Sequence, residues 1–281
     1  MEHVHQWIEG SSYAAALGVS LEAVTDQTAE LALPFNQQNS NPGDALHGGC
    51  AASLGVLGAH AVTRAALGAT SGPWHTTTLQ VNYLAAAIGE EVRASAKLRR
   101  RGKALCFVDV DVQTADGKPI AACAASVRGR FDSKAPDAGI VDDDDGTEDP
   151  GVMGPFVEQT PFIAARGIHI ERMTDGRSRL RMGVGKENGD QAGGLHEGAV
   201  LALLDTAGAM AAWAETGPGA FRASTPSMQA QIITVPPATE LVAYANVVDR
   251  DGDIFWCHVD VARADTRSRV ARGTVLYRIA E

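Results

Sequence analysis

The side chains best suited to chemistry occur twice. "NPGDALHGGCAASLGV" runs from Asn41 to Val56, and "DQAGGLHEGAVLALLD" runs from Asp190 to Asp205. In each, a polar residue stands six positions before a His, and a run of apolar and small residues opens directly after it, at His47-Gly48-Gly49 and at His196-Glu197-Gly198. A helix start presents unpaired N–H groups and the positive end of the helix dipole, and glycine lets a ligand come close to them. Both features suit an oxygen that becomes negative as a carbonyl reacts. The copies differ in their acids. Nine residues after the His, copy two holds Asp205 inside "ALLDTAGAM", where a carboxylate is costly to bury without a role, and copy one holds Val56. Nine residues at about 1.5 Å each carry an acid roughly 13–14 Å along its helix, so Asp205 must serve the helix start of a packed neighbour. Asp190 and Glu197 put negative charge at the second helix start, where a developing oxyanion would be opposed.

These motifs belong to a tandem repeat with an offset of 149, the difference between His196 and His47. Ala15, Gly18, Glu22, Leu31, Asn39 and Leu46 return as Ala164, Gly167, Glu171, Leu180, Asn188 and Leu195, and "VDV" at 110–112 returns at 259–261 after a short length difference expected near residue 70. Each copy reads as a short amphipathic helix, a first strand ("AELALPF", "SRLRMGV"), a loop, and an apolar helix from about His47 to Leu67 or His196 to Trp213. Four strand-like runs follow, with turns at Asp116-Gly117 and Asp251-Gly252. The order implies an α+β fold in which an antiparallel sheet wraps one buried helix per copy. The expected divisions are residues 1–131, an acidic, Asp/Gly/Pro-rich flexible linker over 132–155, and residues 156–281.

The chain has 281 residues, is 45% hydrophobic and carries a net charge of -10, which disfavours nucleic acid and anionic membrane surfaces. Cys50, Cys106, Cys123 and Cys257 lack disulfide or metal spacing and read as buried thiols in a reducing cytoplasm. No secretory start and no membrane-length apolar window is read in the sequence, and no His spacing suggests a metal.

The Asn-His-Gly-Gly pattern opening a buried helix, followed by strands such as "TTTLQVNYL", resembles the hotdog-fold acyl-CoA thioesterases of the phenylacetate-degradation type, over residues 10–131 and 160–280. The resemblance implies a double hotdog that hydrolyses an acyl-CoA thioester, with coenzyme A entering only as part of the substrate and no separate cofactor. It implies homo-oligomers, dimers or trimers of the chain. It also implies that His47 and the Gly48 backbone polarise the thioester carbonyl with help from Asn41, and that the acid nine residues after the His acts as base or nucleophile. One composite site then combines Asn41, His47, Gly48 and Gly49 with Asp205, while the other combines Asp190, His196 and Glu197 with Val56 and has lost that acid. Ser227, taken as the partner of Thr76, matches a position where the family holds a hydroxyl near the acid.

The cluster Arg99, Arg100, Arg101 and Lys103 is a candidate for the CoA phosphates, against a plain solvated hairpin tip; copy two has "VVDRDGD" in its place. Two other readings stand beside hydrolysis. One is a silent acyl-CoA-binding or regulatory hotdog. The other is an enoyl-CoA hydratase-type hotdog, for which Asp44, only three residues before His47, is wrongly spaced.

Overall fold

The computed structural model describes residues 1–129, 138–141 and 146–281. In copy one, α1 (Glu2–Glu9) and α2 (Ser12–Leu17) precede the hairpin β1 (Ser20–Val24) and β2 (Thr28–Leu33), then α3 (Gly48–Leu67) and the strands β3 (Trp74–Tyr83), β4 (Val92–Arg101), β5 (Leu105–Thr114) and β6 (Pro119–Gly129). Copy two repeats this as α4 (Gly154–Val157), α5 (Pro161–Ala165), β7 (Ile168–Thr174), β8 (Arg177–Met182), α6 (Glu197–Thr216), β9 (Arg222–Ile232), β10 (Leu241–Asp251), β11 (Ile254–Arg263) and β12 (Arg269–Ala280).

Local chemistry sets these elements. The Ser11 hydroxyl caps α2 by accepting from the Ala14 N–H at 3.2 Å, and Gly18 ends it in the left-handed region at φ 85°. In β5, Cys106, Val108, Val110 and Val112 face inward while Phe107, Asp111 and Gln113 face out, as a two-residue period requires. α3 is apolar all round because protein surrounds it: Gly49 through Thr63 are buried. It is long and apolar enough to cross a membrane, unlike the sequence reading, but most of its length is buried inside the fold.

The strands form one antiparallel sheet in the order β1-β2-β4-β5-β6-β3-β9-β12-β11-β10-β8-β7, which reads the same from both ends. At its centre Gln80 pairs with Gln229, the residue 149 positions on, so a pseudo-twofold axis passes between β3 and β9. α3 and α6 pack against each other inside it. Their contact is close: a Cβ on Gly49 would lie 2.6 Å from that of Ala202, and one on Gly198 would lie 2.8 Å from Ser53 Oγ. The N-terminal helices cross over, with the Tyr13 N–H donating to Gly189 O and the Phe162 N–H to Ser40 O, so each copy completes the other.

Three expectations change. β1 and β7 were not foreseen as strands; β1 is a largely exposed edge without clean alternation. The length difference expected near residue 70 is not there, since β2/β8, α3/α6 and β5/β11 all keep an offset of 149. A slip of one residue appears in the last hairpin, where Val110 pairs with Cys123 but Val259 with Gly273. Of the expected linker, residues 132–137 and 142–145 lie outside the described residues. The rest is fastened to copy two, with Ile140 bridged to Ser268 and Asp149 to Arg172. All four cysteines are buried and free.

Candidate active site

The two helix starts are built alike. His47 and His196 are the N-caps of α3 and α6, each accepting at Nδ1 from the N–H two residues on, Gly49 or Gly198, at 2.9 Å. That bond places the His47 ring proton on Nε2, and burial pulls its pKa down to about 3, so the ring is neutral. The ring lies flat on Phe162 of copy two, 4.0 Å between centroids, as His196 lies on Tyr13 of copy one. The Gly49 N–H is thereby held by His47. The Gly48 N–H has no acceptor among the described residues.

Asp205 meets this helix start from across the interface. Its Oδ2 lies 2.7 Å from where a Cβ on Gly48 would stand, so the glycine is what allows the approach. Its Oδ1 accepts from the Thr225 hydroxyl at 3.2 Å. The carboxylate is 4% exposed, and burial raises its pKa to about 7 against the lowering effect of Thr225. Tyr83 closes the third side, donating to Gly48 O at 3.3 Å, and its own pKa is raised by burial and by the nearby Asp205. Asn41 lies in the loop before α3, its N–H on Ala45 O; Asp190, at the matching place in copy two, is close enough to His196 to affect it electrostatically.

The second helix start carries its carboxylate on the helix itself. Glu197 reaches into copy one, where its oxygens accept from the Thr76 N–H at 3.0 and 3.1 Å and one lies 3.0 Å from His60 Nε2. Burial would raise its pKa, but His60 and Thr76 outweigh it and bring it to about 2. Each helix start thus has a carboxylate in contact with it. At Gly48 it comes from the opposite helix; at Glu197, opposite Val56, it comes from the start itself.

One expected residue does not reach Asp205, and the expected basic cluster stands apart from it. Thr225, not Ser227, holds Asp205; with an unbroken offset Thr225 is the partner of Thr76, and the assumed length difference shifted the assignment by two residues. The cluster Arg99, Arg100, Arg101 and Lys103 forms the β4–β5 tip. This tip lies by the C-terminal end of α3, where Cys106 neighbours Thr63, about 20 Å along the helix from Gly48. Arg99 there is paired with Asp109 at 2.5 Å. Tyr83 was not anticipated; the signal was an aromatic in copy one where copy two has Ile232.

Residues 36–128, which include α3 and its helix start, match the acyl-CoA thioesterase N-terminal domain family. The fold is a double hotdog. Among solved structures, this double hotdog is similar to the TesB protein of Mycobacterium avium subspecies paratuberculosis, with a TM-score of 0.68, 13% identity, and 96% of this chain and 100% of that one covered. A hot dog fold protein of Alicyclobacillus acidocaldarius gives 0.68 and 15%, covering 98% of both chains. The acyl-CoA thioesterase II TesB2 of Mycobacterium marinum gives 0.63 and 12%, covering 97% and 96%. At these identities the likeness is one of fold. No curated protein matches the sequence.

Proposed function

We propose that the chain hydrolyses an acyl-CoA thioester at one composite site, where α3 offers the Gly48 N–H and α6 offers Asp205. The observation that carries this is the contact of a carboxylate of pKa about 7 with a helix start that holds an N–H without an acceptor among the described residues. A thioester carbonyl oxygen lying on the Gly48 N–H is polarised by that bond and by the helix dipole, with the His47 Nε2–H and Asn41 as the other donors of this loop. Asp205 Oδ2 takes a proton from water as the water oxygen attacks the carbonyl carbon, and the negative charge moves to the oxygen at Gly48. Collapse of the adduct breaks the C–S bond, and the proton held by Asp205 passes to the leaving CoA sulfur. Thr225 fixes Oδ1, which leaves Oδ2 for the water. A pKa near 7 suits a group that must accept and then release a proton near neutral pH.

Glu197 argues against equal chemistry at the other start. It is ionised, bonded to Thr76 and His60, and set where an oxyanion would need a donor. The test is thiol release from a panel of short, long and aryl acyl-CoAs. Asp205→Asn should cost on the order of 10³-fold in kcat with the fold intact; activity within about tenfold of wild type, a barrier change near 1.4 kcal/mol, contradicts the role given to it.

A further inference from the structure

A cavity of about 350 Å³ opens at the second helix start and not at Asp205. Its lining holds a concentration of unsatisfied groups: Trp7 Nε1, His60 Nδ1, Arg64 Nε and Asp190 Oδ1 are all buried and have no hydrogen-bond partner among the described residues. Such atoms are few in a native fold, and four of the ten among the described residues gather around this one cavity, which asks for a hydrogen-bonding partner there. Arg64 is fixed there by its faces, its guanidinium carbon 4.0 Å from the Trp7 ring and 4.1 Å from the Trp74 ring, so only its edge is left for an acceptor.

This cavity is not the residue of a decayed copy. At the positions 149 residues away, His60 is replaced by Ala209, Arg64 by Trp213 and Trp74 by Ala223, and the counterpart of Trp7 is Phe156, 74% exposed on α4. The second start carries a guanidinium, two indoles and an imidazole where the matching positions hold Trp213, two alanines and an exposed Phe156.

We infer that this cavity is a binding site for a small neutral amide on an apolar chain, separate from the hydrolytic centre. The indole N–H and the Arg64 edge require an acceptor, and Asp190 requires a donor; an amide supplies both from adjacent atoms. A carboxylate has no donor and would meet Asp190 and Glu197 against the single guanidinium, while an alkylammonium has no acceptor. Val56, Leu195, Val235 and Pro236 supply the apolar wall for the chain.

The experiment uses the full chain and three probes of one length, hexanamide, hexanoate and hexylamine, read by tryptophan fluorescence because Trp7 and Trp74 form the walls. Hexanamide should give a saturable change, and hexanoate and hexylamine should not. Asp190→Asn, which installs the residue that copy one carries at position 41, should raise the apparent Kd at least tenfold, and Ala192→Trp at the exposed rim should abolish binding; both should leave thiol release by the wild-type Asp205 unchanged. Since Arg64→Leu could disturb the indole packing, these two variants carry the test. The proposal is overturned if no probe saturates, which leaves a cavity holding water only, or if hexanoate binds as well as hexanamide. It is also overturned if Asp190→Asn has no effect, or if a non-hydrolysable acyl-CoA displaces hexanamide one for one, which makes the cavity a second substrate site.

Discussion

At the scale of the residue, the proposed chemistry rests on a glycine and an aspartate that need each other. A methyl group on Gly48 would stand 2.7 Å from Asp205 Oδ2 and 3.4 Å from Tyr83 Cε1, so Gly48→Ala must push the carboxylate away from the helix start. The expected result is a loss of about 10²-fold or more in kcat with a smaller change in KM, as fits an interaction made in the transition state. The pKa of Asp205 gives a second expectation: kcat/KM should rise through pH 7 and level above it as the base loses its proton. Stability should run the other way. The folded chain keeps this proton up to about pH 7 while the unfolded chain loses it near pH 4, so the folded state binds the extra proton between these values and stability falls as pH rises through that window. Asp205→Asn should therefore unfold at higher denaturant than wild type at pH 8, by a few kcal/mol at most, and the gain should vanish below about pH 4.

At the scale of the element, two matching helices carry different work. His47→Ala and His196→Ala each remove a cap and should each cost about 1 kcal/mol in denaturant unfolding. Only His47→Ala should also lower kcat/KM severely, because α3 presents the N–H that the carbonyl uses. Equal losses of activity with folding intact would mean that both starts are catalytic. Much of the geometry was legible in the chain: the repeated His, the apolar helices and the nine-residue spacing of Asp205 put that acid at the start of the other helix before any fold is known. What was not legible depended on pairing between strands. Thr225 was missed because the offset of 149 was broken too early, and β1 was missed because an exposed edge strand has no inward face to mark it. Glu197 bonds Thr76 and His60 across the interface between the copies and Tyr83 comes near Asp205 there, and spacing along one copy cannot show that.

At the scale of the whole molecule, fusion has freed two halves of a pseudo-twofold structure to diverge. Around position 48 the chain keeps glycine and takes its acid from the opposite helix; around position 197 it places the acid on the helix start and opens a cavity lined by Arg64 and two indoles. The basic tip at Arg99, Arg100, Arg101 and Lys103 lies at the far end of α3, so its replacement by four alanines should leave KM for acyl-CoA and for a short thioester equally unchanged. A selective rise for acyl-CoA that shrinks with salt would return the CoA phosphates to that tip. The division of labour itself is tested most directly by measuring kcat/KM for Asp205→Asn and Glu197→Gln side by side on one acyl-CoA, with unfolding monitored for both. Asp205→Asn should abolish thiol release while Glu197→Gln stays within about threefold of wild type, less than 1 kcal/mol in barrier; loss of activity in Glu197→Gln with Asp205→Asn still active would place the chemistry at the other helix start.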